Sequence, residues 1–286
     1  GVYGQDEYRV NNRLTLSFGL RWQALPPFLS EQMNLTAFDP RNGGIIIPDG
    51  NKPRQGFLDS INACPGINPL LPCGPVEKAG SVGLGGGVRH FYGRNFQPRF
   101  SFAFRPFSDS KTAIRGGFGI FTITSLGQLS FNTTNIDVGV VSTTTNSLLQ
   151  NGQPAYQFPL ARPAANPALS AGTADFYQNV DTNYRDPQAA QWNLTVEREL
   201  STDLALKVSY LGMNSYRLPV TVDLNQAPSS QHPYDPNLRP YLNWGRILSS
   251  ENLGFANYQG LQTEFDKRFS YGLLFQASHV WSKTLG

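Results

Sequence analysis

The chain has 286 residues and a formal net charge of +3, from 23 Lys and Arg against 20 Asp and Glu. Charged residues are 15% of the total, low for a soluble domain, and no Lys/Arg run stands out, so no nucleic-acid partner is expected. Aromatics at 12%, with 28 Gly and 21 Pro, suit an all-β chain rich in turns. No apolar stretch reaches the roughly 18 residues of a membrane helix, which leaves open a membrane barrel, whose strands are short and half apolar.

The first predicted hairpin lies in "GVYGQDEYRVNNRLTLSFGLRW". Leu14, Leu16, Phe18, Leu20 and Trp22 alternate with Thr15, Ser17, Gly19 and Arg21 after a turn at Asn11-Asn12, a pair that tolerates left-handed backbone. The second hairpin places Phe100, Phe102 and Phe104 against Arg99, Ser101, Ala103 and Arg105. After "FSDSK", Ile114, Phe118 and Ile120 alternate with Ala113, Arg115, Gly117 and Gly119. The third is the most regular: Trp192, Leu194 and Val196, then Leu204, Leu206, Val208 and Tyr210, around a turn at Ser201-Thr202-Asp203. In the fourth, Leu261, Thr263 and Phe265 oppose Gln262, Glu264 and Asp266. After Phe269-Ser270-Tyr271-Gly272, Leu273, Phe275, Ala277, His279 and Trp281 take over.

The pattern predicts about eight strands in four hairpins, with short connections inside hairpins and long ones between them, at roughly 26–95, 122–188 and 213–256. Structureless loops of such length are unusual in a compact soluble domain. Outer-membrane barrels have this alternation, with short periplasmic turns and long extracellular loops. The expected fold is therefore an all-β, antiparallel, up-and-down transmembrane barrel occupying 1–286 as a partial barrel domain.

The aromatics fit that orientation. Trp22, Trp192, Tyr210 and Trp281 fall near the outer interface; Tyr8, Phe104, Phe107 and Phe269 fall near the turns. Two such belts are what a lipid–water boundary selects. The other face carries lumen-lining candidates Arg21, Arg99, Arg115, Glu197, Lys207, Glu264 and Asp266, with Arg105, Gln262 and Gln276 beside them. Ordinary hydrogen bonding to a plug is the simpler role for Arg21, Arg99, Arg115 and Lys207; a basic lining that guides an anionic ligand is the sharper one.

Catalytic and cofactor signals are weak, and neither an enzyme nor a cofactor is expected. Ala79-Gly80-Ser81-Val82-Gly83 approximates a nucleophile elbow without its strand and helix. Gly83 to Gly87 lacks the Lys-Ser/Thr of a phosphate loop, and Asp39 to Gly50 lacks EF-hand spacing. His90, His232 and His279 are far apart, so no metal site is expected. Cys64 and Cys73 suit a small disulfide clipping a loop in an oxidising compartment; two unrelated thiols are the plain alternative.

"QDEYRVNNRLTLSFGLRW" resembles a strand pair of the TonB-dependent outer-membrane receptors. "NFQPRFSFAFRPFSDSKTAIRGGFGIF", "AAQWNLTVEREL", "RPYLNWGRI" and "NYQGLQTEFDKRFSYGLLFQASHVWSK" resemble the Oar-like branch, which carries a carboxypeptidase-regulatory-like N-terminal domain. The resemblance extends to the loop words Phe38-Asp39-Pro40 and Asp223 to Gln226. It implies outer-membrane lipid around the wall, a full barrel of about 22 strands, a plug that engages the TonB complex, and energy-coupled uptake of a bulky, scarce ligand. Both ends of the chain read as cut, so it is expected to be a fragment of that barrel. A passive porin, a structural adhesin, a small barrel closed by eight strands and a soluble β-protein binding through its loops are the competing readings.

Overall fold

The computed structural model describes residues 1–31, 33, 35–50, 74–124, 174–229, 233 and 235–286. Cys64, Cys73 and His232 lie outside them. Twelve strands are described: β1 Val2–Asn11, β2 Leu14–Trp22, β3 Ala37–Asp39, β4 Gly44–Ile47, β5 Val76–Lys78, β6 Phe96–Phe104, β7 Thr112–Thr122, β8 Ala174–Val180, β9 Gln188–Ser201, β10 Leu204–Asp223, β11 Trp244–Ser270 and β12 Leu273–Leu285. Eight of them form one antiparallel meander, β1-β2-β6-β7-β9-β10-β11-β12. β1 and β12 are its two edges, so these eight strands form an open wall and not a closed small barrel.

The four tight connections fall where turn chemistry places them. Asn11 Oδ1 accepts from the backbone N–H of Arg13 (2.8 Å) and Leu14 (2.9 Å), which folds the chain back into β2. Tyr271 and Gly272 both have positive φ, 51° and 75°, the requirement of a two-residue hairpin turn whose twist matches its strands. Asp203 ties two neighbouring turns together. Its carboxylate accepts from Lys267, Ser270 and Ser201, and the Lys267 hydrogen bond first, then those of Ser201 and Ser270, hold it well below the usual carboxylate range.

Register fixes the faces, because directly paired residues project to the same side. One rung runs Phe18, Phe100, Phe118, Trp192, Gly212; another runs Ile114, Val196, Val208, Thr263, His279. The intervening rungs carry Ser17, Ser101, Gly117, Asn193 and Leu211. Each strand therefore shows one apolar and one predominantly polar face, with the membership its alternation predicts.

The long connections are not structureless. The first contains a separate sheet, β3-β4-β5, followed by a short 3-10 helix, Ala79–Val82. Ser81 donates to the Lys78 carbonyl (2.7 Å), and Gly83 at φ 76° ends the turn, so the elbow-like "AGSVG" is a helix stop. The second connection ends in β8, which pairs parallel to β11, the one departure from the antiparallel plan of the wall among the described residues.

The third connection is shorter than the sequence pattern predicts. β10 and β11 stay paired well past Gly212, from Met213↔Tyr258 to Asp223↔Leu248. The loop expected at 213–256 therefore reduces to 224–243. Two register shifts, between Tyr216 and Leu218 and between Leu218 and Val220, scramble the period-two pattern. Backbone pairing continues across them because the ladder needs peptide groups and not apolar side chains.

These insertions pack together as a cap. Phe38, Ile45 and Ile47 from the first connection, Phe176 from the second, and Trp244 and Ile247 of β11 form one buried cluster. The Phe38 ring meets Phe176, Tyr241 and Trp244 edge-on at 5.9, 5.0 and 6.1 Å, the arrangement aromatic quadrupoles favour. A second cluster, Leu35, Ala37, Ile46, Ala79, Leu84 and Val88, fills the other side of the small sheet.

Candidate functional site

The polar face of the wall divides by height. Toward the tight turns, carboxylates and cations alternate across strands. The Arg115 guanidinium donates to Glu197 (2.8 Å), Lys207 to Glu264 (3.2 Å), and Gln276 to the other Glu264 oxygen (3.0 Å). Asp266 sits in the same half, opposite Ala205 and Gln276. These pairs are exposed to half-buried, so each contributes little stability and serves mainly to order the face. Arg21 and Arg99 occupy the other half, toward the long connections.

The residues expected in aromatic belts all belong to the wall and its turns. Trp22 is paired with Val2 and Phe96, and its indole N–H donates to the Gly93 carbonyl (2.8 Å). Tyr210, Leu261 and Trp281 share one rung, and the Tyr210 hydroxyl donates to Gln259. Trp192 lies over Gly212, where a Cβ would meet the indole at 2.2 Å. At the turn end Tyr8 and Phe104 flank β2 opposite Leu16 and Leu14, Phe107 stacks under the Arg198 guanidinium (5.8 Å), and Phe269 is exposed in the last turn.

Where wall meets cap, four segments converge on a buried polar junction. Asp186 accepts from Asn95 (2.5 Å), and burial pushes its carboxyl above the usual range, against the pull of Asn95, Arg89 and Arg217. Burial also lowers the Arg89 guanidinium, which stacks 5.7 Å from the Tyr184 ring. Arg217 sits at the register shift with φ 59°, stacks on Tyr92 (5.3 Å) and Tyr216 (5.0 Å), and donates to the Tyr92 hydroxyl (2.8 Å). Its carbonyl accepts from Asn252, which also pairs with the backbone of Arg185. Sequence reasoning missed this cluster. Its members come from four distant stretches, and none stands in a readable motif.

Burial in this molecule is inverted relative to a soluble sheet protein. Phe38 and Trp244 of the cap are each 1% exposed, whereas Phe18 (50%), Phe100 (46%) and Leu194 (46%) on the wall are open. No layer among the described residues covers this apolar face, and contiguous exposed apolar surface marks a lipid or partner contact. The family model of the outer membrane beta barrel domain matches residues 1–286. The chain belongs to this outer membrane β-barrel domain family. Its setting is the outer membrane.

Solved structures with similar folds include the siderophore receptor PirA from Pseudomonas aeruginosa. It is 9% identical, has a TM-score of 0.45, and the match covers 99% of this chain and 33% of that one. Another is the hemophore receptor HasR of Serratia marcescens, in complex with its hemophore HasA and heme (13% identity, TM-score 0.43, coverage 99% and 33%). A third is the outer membrane transporter YddB from Escherichia coli (9% identity, TM-score 0.42, coverage 69% and 21%). The chain thus spans a third or less of each of these proteins. No curated protein matches it in sequence.

The outer-membrane domain holds no cluster of three or more His, Cys, Asp or Glu suited to a metal among its described residues. His90 is in the cap and His279 on the apolar face of β12, well separated by the fold.

Proposed function

We propose that this domain is a wall segment of a TonB-dependent receptor of the Oar-like branch, serving energy-coupled uptake of a bulky, scarce ligand. In this reading the chain is part of a longer barrel whose remaining strands pair with the β1 and β12 edges. The apolar face meets lipid, with Trp22, Trp192, Tyr210 and Trp281 at the outer boundary and Tyr8, Phe104, Phe107 and Phe269 at the inner one. The polar face lines the lumen. The observation that carries the reading is the placement of tight turns at one end of the wall and a packed cap of long connections at the other. A passive pore has no need of so large a folded surface, while a receptor needs one to select its ligand.

The full-length protein tests it. A plug and a TonB box upstream of Gly1, with capture of the TonB periplasmic domain by the detergent-solubilised receptor, are expected. An outer-membrane barrel with heat-modifiable mobility that carries no plug and captures no TonB is a passive pore or adhesin, and overturns the proposal.

A further inference from the structure

Arg21, Arg99, Arg115 and Lys207 share one face of the wall but not one environment. Arg115 and Lys207 each hold a carboxylate. Among the described residues, the Arg21 and Arg99 side chains make no ion pair and no hydrogen bond. Arg99 is paired with Gly19, and Arg21 lies two residues along the same strand. Such diagonal neighbours sit about 7–8 Å apart, close enough for one polyanion to engage both. The Arg99 guanidinium lies 5.0 Å from the Phe121 ring, and stacking of this kind fixes its plane while leaving its N–H edge available.

The two arginines border adjoining hollows of about 570 and 200 Å³ that share Gln5, Gly19 and Arg99. The larger is open because its floor is glycine. A Cβ at Gly119 would press on the Phe121 ring at 3.1 Å, and one at Gly117 on Asn193 Oδ1 at 3.3 Å. Gln5, Ser101 and Asn193 supply neutral hydrogen-bonding groups around it, and among the described residues no carboxylate lines either hollow. Two uncompensated cations beside an acid-free cavity of small-ligand size are complementary to negative charge, and the guanidinium fork matches an oxyanion.

We infer that the Arg21–Arg99 hollow is a binding subsite for a small ligand bearing oxyanion groups, carboxylate or phosphate. This rests on the receptor reading and gives its cargo a chemical class. The subsite lies on the polar face of the wall, in the half toward the long connections.

The probe is citrate, titrated by calorimetry into the full-length receptor in detergent, with inorganic phosphate as a second oxyanion and glucose as a neutral solute. Citrate is expected to bind, more weakly as salt rises, and glucose not to bind. Arg21→Gln and Arg99→Gln should each weaken citrate binding about tenfold, the loss of one charge-assisted contact. Arg115→Gln, whose guanidinium is already committed to Glu197, should change it less than about twofold. Phosphate binding without citrate binding assigns the site to phosphate groups and supports the inference. Equal effects of all three variants, or no binding of either anion, overturn it; the second result means that acidic side chains of the protein itself occupy the arginines. Heat-modifiable mobility and TonB capture, measured on the same preparation, separate failure of this inference from failure of the receptor reading.

Discussion

The side chain of Asn225 shows how one residue organises the third connection. Its amide nitrogen donates to the carbonyls of Tyr241 (2.9 Å), Trp244 (2.8 Å) and Gly245 (2.6 Å), and its oxygen accepts from the Tyr241 N–H (2.8 Å). Next to it, Asp223 Oδ1 accepts from the N–H groups of Asn225 and Ile247. Asn225→Ala removes all four hydrogen bonds of this side chain, although the Tyr241 carbonyl keeps the Trp244 N–H and the Trp244 carbonyl keeps the Arg239 side chain; it is expected to cost about 2–4 kcal/mol of cap stability, read as faster hydrogen exchange at Trp244 and Ile247. Charge adds a pH dependence. Burial raises the Asp186 and Glu251 carboxyls above their ordinary values, and the Asp181 charge adds to the second. The folded cap then holds protons that the unfolded chain releases, so it gains stability as pH falls through the raised values and loses it as pH rises. Asp39 works the other way. Its hydrogen bond to Arg41 lowers it, so its contribution is complete above the unfolded value of 3.8 and is lost only in stronger acid. On the neutral side of the ordinary carboxylate range the slope therefore comes from the raised pair. Cap exchange, corrected for intrinsic rates, should slow as pH falls in that window, and Asp186→Asn should flatten the trend.

At the scale of elements, the hairpin β9–β10 makes the face assignment testable. Val196 is paired with Ile114 and Val208 on the apolar side, and Thr195, one residue away, shares a hydrogen bond with Ser209 (3.0 Å) on the polar side. Val196→Arg puts a cation into lipid and should cost about 2–4 kcal/mol at mid-membrane depth. Thr195→Arg forfeits one hydrogen bond, about 1 kcal/mol. Urea unfolding of the full-length barrel in lipid vesicles measures both, and equal costs would mean that the faces are misassigned. The contrast also explains what was legible in the sequence. The hairpins were, because a face that must be apolar in lipid imposes period two on residues such as Leu14 to Trp22. The distal half of β10–β11 was not, since the shifts around Arg217 break the period where no face is dictated. The cap core was visible only as family words. Phe38-Asp39-Pro40 and the stretch from Asp223 to Gln226 meet where Leu224 packs against the cluster that holds Phe38, and beside it the Tyr241 hydroxyl donates to the Pro40 carbonyl (2.7 Å) and the Trp244 indole to Gly43 (2.7 Å). Contacts spanning 201 positions leave no local signature. The polar face was readable as a set, but its division into paired and unpaired arginines depends on register and rotamer.

The described residues form two environments: a wall stabilised by strand pairing and its surroundings, and a cap stabilised by its own buried core. Arg217 stands at the join. Its left-handed backbone costs a non-glycine residue about 1–2 kcal/mol, and the stacks on Tyr92 and Tyr216, the bond to the Tyr92 hydroxyl and the Asn252 clasp are what hold it there. Arg217→Ala keeps the backbone cost and removes the stacking and the hydrogen bond, so the cap should open more readily. Arg217→Gly loses the same contacts but is at ease at positive φ, so it should loosen the cap about 1 kcal/mol less. Hydrogen exchange separates the two environments. Amides of Phe38, Trp244 and Ile247 should exchange faster in Arg217→Ala than in Arg217→Gly, and faster in both than in the native protein. Those of Val196 and Val208, deep in the wall ladder, should not change. If the wall amides accelerate in step with the cap, the two fold as one cooperative unit, and the cap cannot move as a body over a fixed barrel rim.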